Sequence, residues 1–239
     1  MSEKDSIAIG KDQFSELYSR MNKIILGLVL LLLLFSSSFS PREPRILIIG
    51  DSISIGYTPF VKDHFEGKAL VKHNPSNAQH TGTGLKQISK WLGNKEWDIV
   101  QFNWGLWDLC YRHPDAIAYG MRDKVNGKVT YTVDEYAANL DLLVTSIKTK
   151  TDAKLIFVTT TYVPPEEEGR FTDDVEKYND AAKAVMKKHK VQVNDIYEES
   201  VKIHKDYGIG SNDVHYSPEG YQKLSESISS FLENDLGMK

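Results

Sequence analysis

Cysteine is almost missing from this sequence: Cys110 stands alone among 239 residues. No intrachain disulfide and no cysteine-built zinc site can form, so folding rests on the apolar core. An excess of one charge is missing too. With 29 basic and 33 acidic residues the net charge is −4, which gives no reason to expect nucleic acid or an anionic membrane surface as a partner. His64, His73, His80, His189 and His204 are scattered without metal-ligand spacing, and Cys110, with His113 three residues on, reads as a small loop or core residue. We therefore expect no metal. Repeats and low-complexity tracts are absent, and the length suits one α/β domain with a short extension rather than two independent cores.

Long apolar runs are scarce, with one exception. Ile24 to Phe35 reads IILGLVLLLLLF, twelve residues followed by Ser36–Ser38. A membrane span needs about twenty residues, whereas a signal-peptide core is shorter. Met21-Asn22-Lys23 lies directly before the run, so translation from Met21 gives a positive start, an apolar centre and a serine-rich cleavage region. Residues 1–40 are read as a signal peptide or N-terminal anchor, with Met21 the expected true start, and residues 41–239 as the exported domain. If the first twenty residues are translated, the segment can stay uncleaved as an anchor, the only membrane contact expected. No cysteine sits at the junction to carry a lipid.

In the mature chain, Arg45 to Gly50 (RILIIG) is a β-branched apolar run stopped by glycine, the pattern of a strand buried on both faces of a parallel sheet. Ala69–His73, Asp98–Phe102, Lys154–Thr160 and Val191–Ile196 read likewise. Helical patterns lie between most of them. Thr132–Lys148 repeats Val133, Tyr136, Leu140, Leu143, Val144 and Ile147 at helical spacing, and Thr132 with Glu135 fits a capping box. Asp173–His189 is another helix, and Pro218–Leu232 a third that opens on proline. This alternation predicts parallel βαβ units in a three-layer α/β/α sandwich. Tyr111–Thr130, poor in apolar anchors, reads as a surface excursion.

Active groups in such sheets gather beyond the carboxyl ends of strands. Gly50-Asp51-Ser52 follows the first strand, Asn103-Trp104-Gly105-Leu106-Trp107-Asp108 the third, and Asn212-Asp213-Val214-His215 lies near the C-terminus. A serine at a strand-to-helix turn exposes its hydroxyl, but at neutral pH it needs a base and a group that fixes the base's tautomer. Ser52, His215 and Asp213 supply those three parts. In this order, Ile49-Gly50-Asp51-Ser52-Ile53 and Asp213-Val214-His215-Tyr216-Ser217-Pro218-Glu219-Gly220-Tyr221 resemble the SGNH hydrolases, also called GDSL esterases and lipases. The resemblance runs from Arg45 to the C-terminus. It implies a flavodoxin-like parallel five-stranded sheet and ester hydrolysis through an acyl-serine intermediate, with Ser52 as nucleophile and its own N–H as an oxyanion donor.

The other motifs depart from the family. Its third block, Gly-x-Asn-Asp, is here Gly105-Leu106-Trp107-Asp108, so tryptophan replaces the asparagine that helps hold the oxyanion. Asn103 is the candidate replacement, its alternative role being a turn former. The second block, Asn77 to Leu85, offers Gly82 as donor, or Gln79 in another register. Gly82 and Gly84 lack the third glycine of a dinucleotide loop, so no cofactor is expected. In the last block the family's aspartate position, three before the histidine, is Asn212. Either Asp213 or Asn212 then supports His215, and Asp213 carries the charge. Trp104 and Trp107 could stack on sugar rings or pack beneath the loops; Glu166–Glu168 reads as a solvated acidic loop. The expected activity is hydrolysis of small, chiefly acetyl, esters of a carbohydrate or other small molecule outside the cytoplasm. The rivals are a lipase or lysophospholipase at the membrane, and an inactive carbohydrate-binding protein.

Overall fold

The computed structural model describes residues 16–27, 42–117 and 121–238. Residues 16–27 form an exposed helix, α1, in a unit of its own, Met1–Arg42; the second unit is Glu43–Lys239. Most of the apolar run expected to serve as signal or anchor lies outside the described residues. Among the described residues no helix is long and apolar enough to cross a membrane.

The second unit alternates strand and helix from its start. The strands are β1 (Arg45–Ile49), β2 (Leu70–His73), β3 (Ile99–Phe102), β6 (Lys154–Val158) and β7 (Gln192–Asn194). They pair in the order β2-β1-β3-β6-β7, every neighbour parallel. Ile46, Leu47, Ile48 and Ile49 are at most 2% exposed, because helices cover both faces of the sheet. Each such side chain contributes about 1.5–3 kcal/mol of burial. The helices α2 (Ser52–His64), α6 (Tyr197–Tyr207) and α7 (Pro218–Leu236) pack together, as do α3 (Thr81–Leu92), α4 (Val133–Lys148) and α5 (Thr172–His189). This is the expected three-layer sandwich.

Local chemistry sets several boundaries. Thr132 and Glu135 form the capping box of α4, Thr132 N–H donating to Glu135 Oε2 at 2.9 Å and Glu135 N–H to Thr132 Oγ1 at 3.3 Å. Ser217 caps α7 and Pro218 opens it, where its missing N–H costs nothing. The excursion after β3 is more ordered than its composition suggests: β4 (Tyr111–Arg112) and β5 (Lys128–Val129) pair antiparallel there.

Strand order places the site. The chain leaves β1 for β2 on one side and returns to β3 on the other, so a crevice opens at the carboxyl ends of β1 and β3. The turn carrying Ser52 follows β1, and the Asn103–Asp108 segment follows β3.

Candidate active site

Ser52 is the first residue of α2, and the turn before it is pinned from three directions. Gly50 N–H donates to Asn74 Oδ1 at 3.0 Å, tying the turn to the end of β2. A Cβ at Gly50 would lie 2.6 Å from Ser54 Oγ, so glycine is needed for close approach. Asp51 caps α2 by accepting Ile53 N–H at 3.0 Å. Ser54 Oγ meets His73 Nε2 at 2.7 Å, while His73 Nδ1 donates to Asn74 O at 2.8 Å. Burial pushes the His73 imidazole down, with Lys62 adding to the shift and the Asn74 bond opposing it. The Ser52 N–H has no acceptor among the described residues, and as a first-turn donor it is available to an anion.

His215 arrives from the loop before α7. Its Nε2 lies 2.8 Å from Ser52 Oγ, and its Nδ1 lies 2.5 Å from Asp213 Oδ1. A carboxylate only accepts, so Nδ1 carries the proton and Nε2 is free to accept one from Ser52. Asp213 Oδ1 also accepts the main-chain N–H of His215 at 2.9 Å. Burial pushes the Asp213 carboxyl up, but these bonds and the charges of His215 and Arg122 outweigh it and hold the group below its usual value. Asn212 is exposed; the ring is held by Asp213.

Beneath the crevice, Asp108 is fully buried and its Oδ1 accepts both Thr81 N–H, at 2.9 Å, and Thr81 Oγ1–H, at 2.5 Å. It thereby ties the third-block segment to the start of α3. Burial pushes its pKa up to about 7, helped by the charge of Asp51 and opposed by the Thr81 bonds. Burial also raises the Asp51 carboxyl, against the Ile53 bond and the charges of Arg170 and His215.

Among the aromatic and oxyanion candidates, Trp104 needs correction. Trp104 is fully buried; it stacks near Trp91 and its indole N–H donates to Ala78 O at 3.3 Å. It is core, drawn inward by the apolar space under α3, and cannot meet a substrate. Asn103 donates from Nδ2 to Val158 O, the last carbonyl of β6, at 2.8 Å. It lines a small interior space with Ile53, Ser54 and Tyr57; this bond braces the ends of β3 and β6 and uses one of the two N–H donors of the amide. Trp107 is half-buried, with the Arg112 guanidinium 5.1 Å from its ring. Gly82 is the second residue of α3, close against the Tyr131 hydroxyl, and no bond joins it to Ser52 among the described residues. Gln79 holds φ of 54° with its N–H donated to Asn77 Oδ1 at 2.8 Å.

The acidic run at Glu166–Glu168 is not uniformly solvated. Glu167 is completely buried, accepting from Arg122 Nη1 at 2.6 Å, Arg170 Nη1 at 2.8 Å and Gly169 N–H at 2.8 Å. Arg170 Nε also reaches Leu106 O at 2.5 Å. One carboxylate thus fastens the excursion and the loop after β6 to the third-block segment. Nothing in the local pattern marks Glu167, because its partners lie elsewhere in the chain.

The match to known families agrees with this arrangement. The model of the GDSL-like lipase/acylhydrolase family matches residues 48–223. The chain belongs to that family and is a carboxylic ester hydrolase. Among solved structures it is similar to a lipase/acylhydrolase from Enterococcus faecalis, at 21% identity and a TM-score of 0.62 over 80% of this chain and 96% of that one. It is also similar to an acetylxylan esterase from Geobacillus stearothermophilus, at 16% identity and a TM-score of 0.59 over 82% and 95%. A second acetyl xylan esterase is similar at 13% identity and a TM-score of 0.61 over 79% and 99%. Comparison with curated protein sequences gives no match.

Proposed function

We propose that this protein is an exported serine esterase that removes small acyl groups, acetyl above all, from carbohydrate. The observation that carries the reading is the unbroken chain from Ser52 Oγ through His215 to Asp213. Ser52 Oγ attacks the ester carbonyl as its proton passes to His215 Nε2, and Asp213 stabilises the imidazolium. The tetrahedral oxyanion takes the Ser52 N–H and a donor from the turn that opens α3, where Gly82 lies. When the intermediate collapses, the bond to the alcohol oxygen breaks and His215 returns the proton to it. A water, deprotonated by the same imidazole, then attacks the acyl-serine and releases the acid.

The carbohydrate part rests on two further observations. Trp107 offers a half-buried aromatic face suited to a sugar ring, and two fold neighbours are acetyl xylan esterases. Export rests on the Ile24–Phe35 run and its flanks. Trp107 also stands where the family has a donor amide, and one such donor contributes about 3 kcal/mol to transition-state stabilisation. The test is release of nitrophenol from aryl acetate, butyrate and decanoate by the domain beginning at Pro41, beside Ser52→Ala. Activity lost in the variant and greatest on acetate supports the reading. Preference for decanoate would replace it with a lipase, and no turnover by folded protein with retained sugar binding would leave an inactive binding protein.

A further inference from the structure

His204, a residue with no place in the family motifs, sits in α6 and is 7% exposed. Its Nε2 lies 2.7 Å from the main-chain carbonyl of Asp213. A carbonyl cannot donate, so the ring carries its proton on Nε2 and donates it. The ring is fixed by what surrounds it. Tyr162 and Tyr216 pack edge-on against it at 5.3 and 5.2 Å between centroids. Gly208 lies so close that a Cβ there would be 2.5 Å from the ring.

The loop that His204 grips needs such a hold. Behind Gly208, Gly210 and Ser211 lies a cavity of about 580 Å³, bordered also by Tyr162, Pro164 and Lys205. On that side the loop is held by a polar contact, Ser211 Oγ donating to Glu166, rather than by packed apolar side chains. Two longer main-chain bonds steady it, Asp213 N–H to Gly210 O at 3.3 Å and Ile209 N–H to His215 O at 3.2 Å.

We propose that His204 is a positioning residue for the acid: by holding the Asp213 carbonyl from a rigid helix, it keeps the Asp213 carboxylate against His215 Nδ1. The consequence for reactivity rests on the esterase reading above, but the positioning itself does not. A shift of the carboxylate by about an ångström weakens its support of the imidazolium and costs rate on the order of 10- to 100-fold.

The test uses the full domain with ¹⁵N-labelled histidine. In the wild type, His204 should show a neutral Nε2–H tautomer with a slowly exchanging proton. His204→Phe keeps the ring volume and removes the donor, and His204→Gln keeps an N–H donor. In H204F the His215 Nδ1–H proton, which Asp213 accepts, should exchange faster with solvent and its NMR resonance should move upfield. With it, kcat should drop about 10- to 100-fold with KM little changed, and H204Q should recover most of the loss. An averaged, freely exchanging His204 proton in the wild type overturns the proposal without need of a variant. So does an H204F protein whose His215 Nδ1–H resonance and exchange are unchanged. Should no ester be turned over, the Nδ1–H signal still decides the positioning while the esterase reading alone fails.

Discussion

Asp108 makes a quantitative statement about stability. Its carboxyl titrates near 7 in the fold and near 3.9 in an unfolded chain. Between those values the folded state binds the proton and the unfolded state does not, so stability falls as pH rises. From pH 5 to pH 8 this loss is about 3 kcal/mol, at a limiting slope of about 1.4 kcal/mol per pH unit that flattens above pH 7. Asp108→Asn mimics the neutral acid: an amide oxygen can accept from Thr81 N–H and Oγ1–H, and its NH₂ takes the place of Oδ2. The variant should therefore lack that part of the decline. In thermal melts at pH 5 and pH 8, the gap between the wild-type and variant profiles should widen by roughly 6–12 °C, at 2–4 °C per kcal/mol for a domain of this size. His73 and His80, both lowered chiefly by burial, push stability the opposite way near pH 6, but equally in both proteins. Parallel profiles would refute the reasoning, showing that Asp108 is already hydrated or paired when folded.

Replacing Asp213 by Asn keeps a side chain that can orient His215 but removes the charge, and kcat on aryl acetate should fall about 10³- to 10⁴-fold. Asn212→Ala should change it less than about threefold, since Asp213 holds the ring; steady-state kinetics of the two variants separate these roles. Glu167→Ala strands the Arg170 guanidinium, 6% exposed, without its carboxylate, and should cost about 3–5 kcal/mol in denaturant melts. Gly56→Ala places a Cβ 2.2 Å from the Tyr221 ring where α2 crosses α7. Despite the better helix propensity of alanine, it should destabilise by about 1–3 kcal/mol.

Sequence-local signals carried most of the fold. The runs at Arg45–Ile49 and Lys154–Val158, the capping box at Thr132 and the proline start of α7 are each written within a few residues, and the structure follows them. The expected strands are trimmed at their ends, as at Val191–Ile196, where only Gln192–Asn194 pairs. Pairing needs a partner of equal length, which no single segment reveals. The site was legible where chemistry and order coincide, at Ser52, Asp213 and His215. It was illegible where a role comes from a distant partner. Glu167 looks like surface acid until Arg122 and Arg170 enclose it, and Trp104 looks like a loop aromatic until α3 covers it. His73 and His204, two histidines without pattern, brace the nucleophile turn and the acid loop through single bonds.

The central claim, that Ser52 is the nucleophile activated by His215, is tested most directly by covalent capture. We would treat the domain at neutral pH with a fluorophosphonate and locate the adduct by peptide mass spectrometry, with His215→Ala and Ser52→Ala alongside. The account predicts one adduct per chain, on Ser52, formed far more slowly in H215A and not at all in S52A. Labelling at another residue, or unreactive Ser52 in folded wild-type protein, would contradict it.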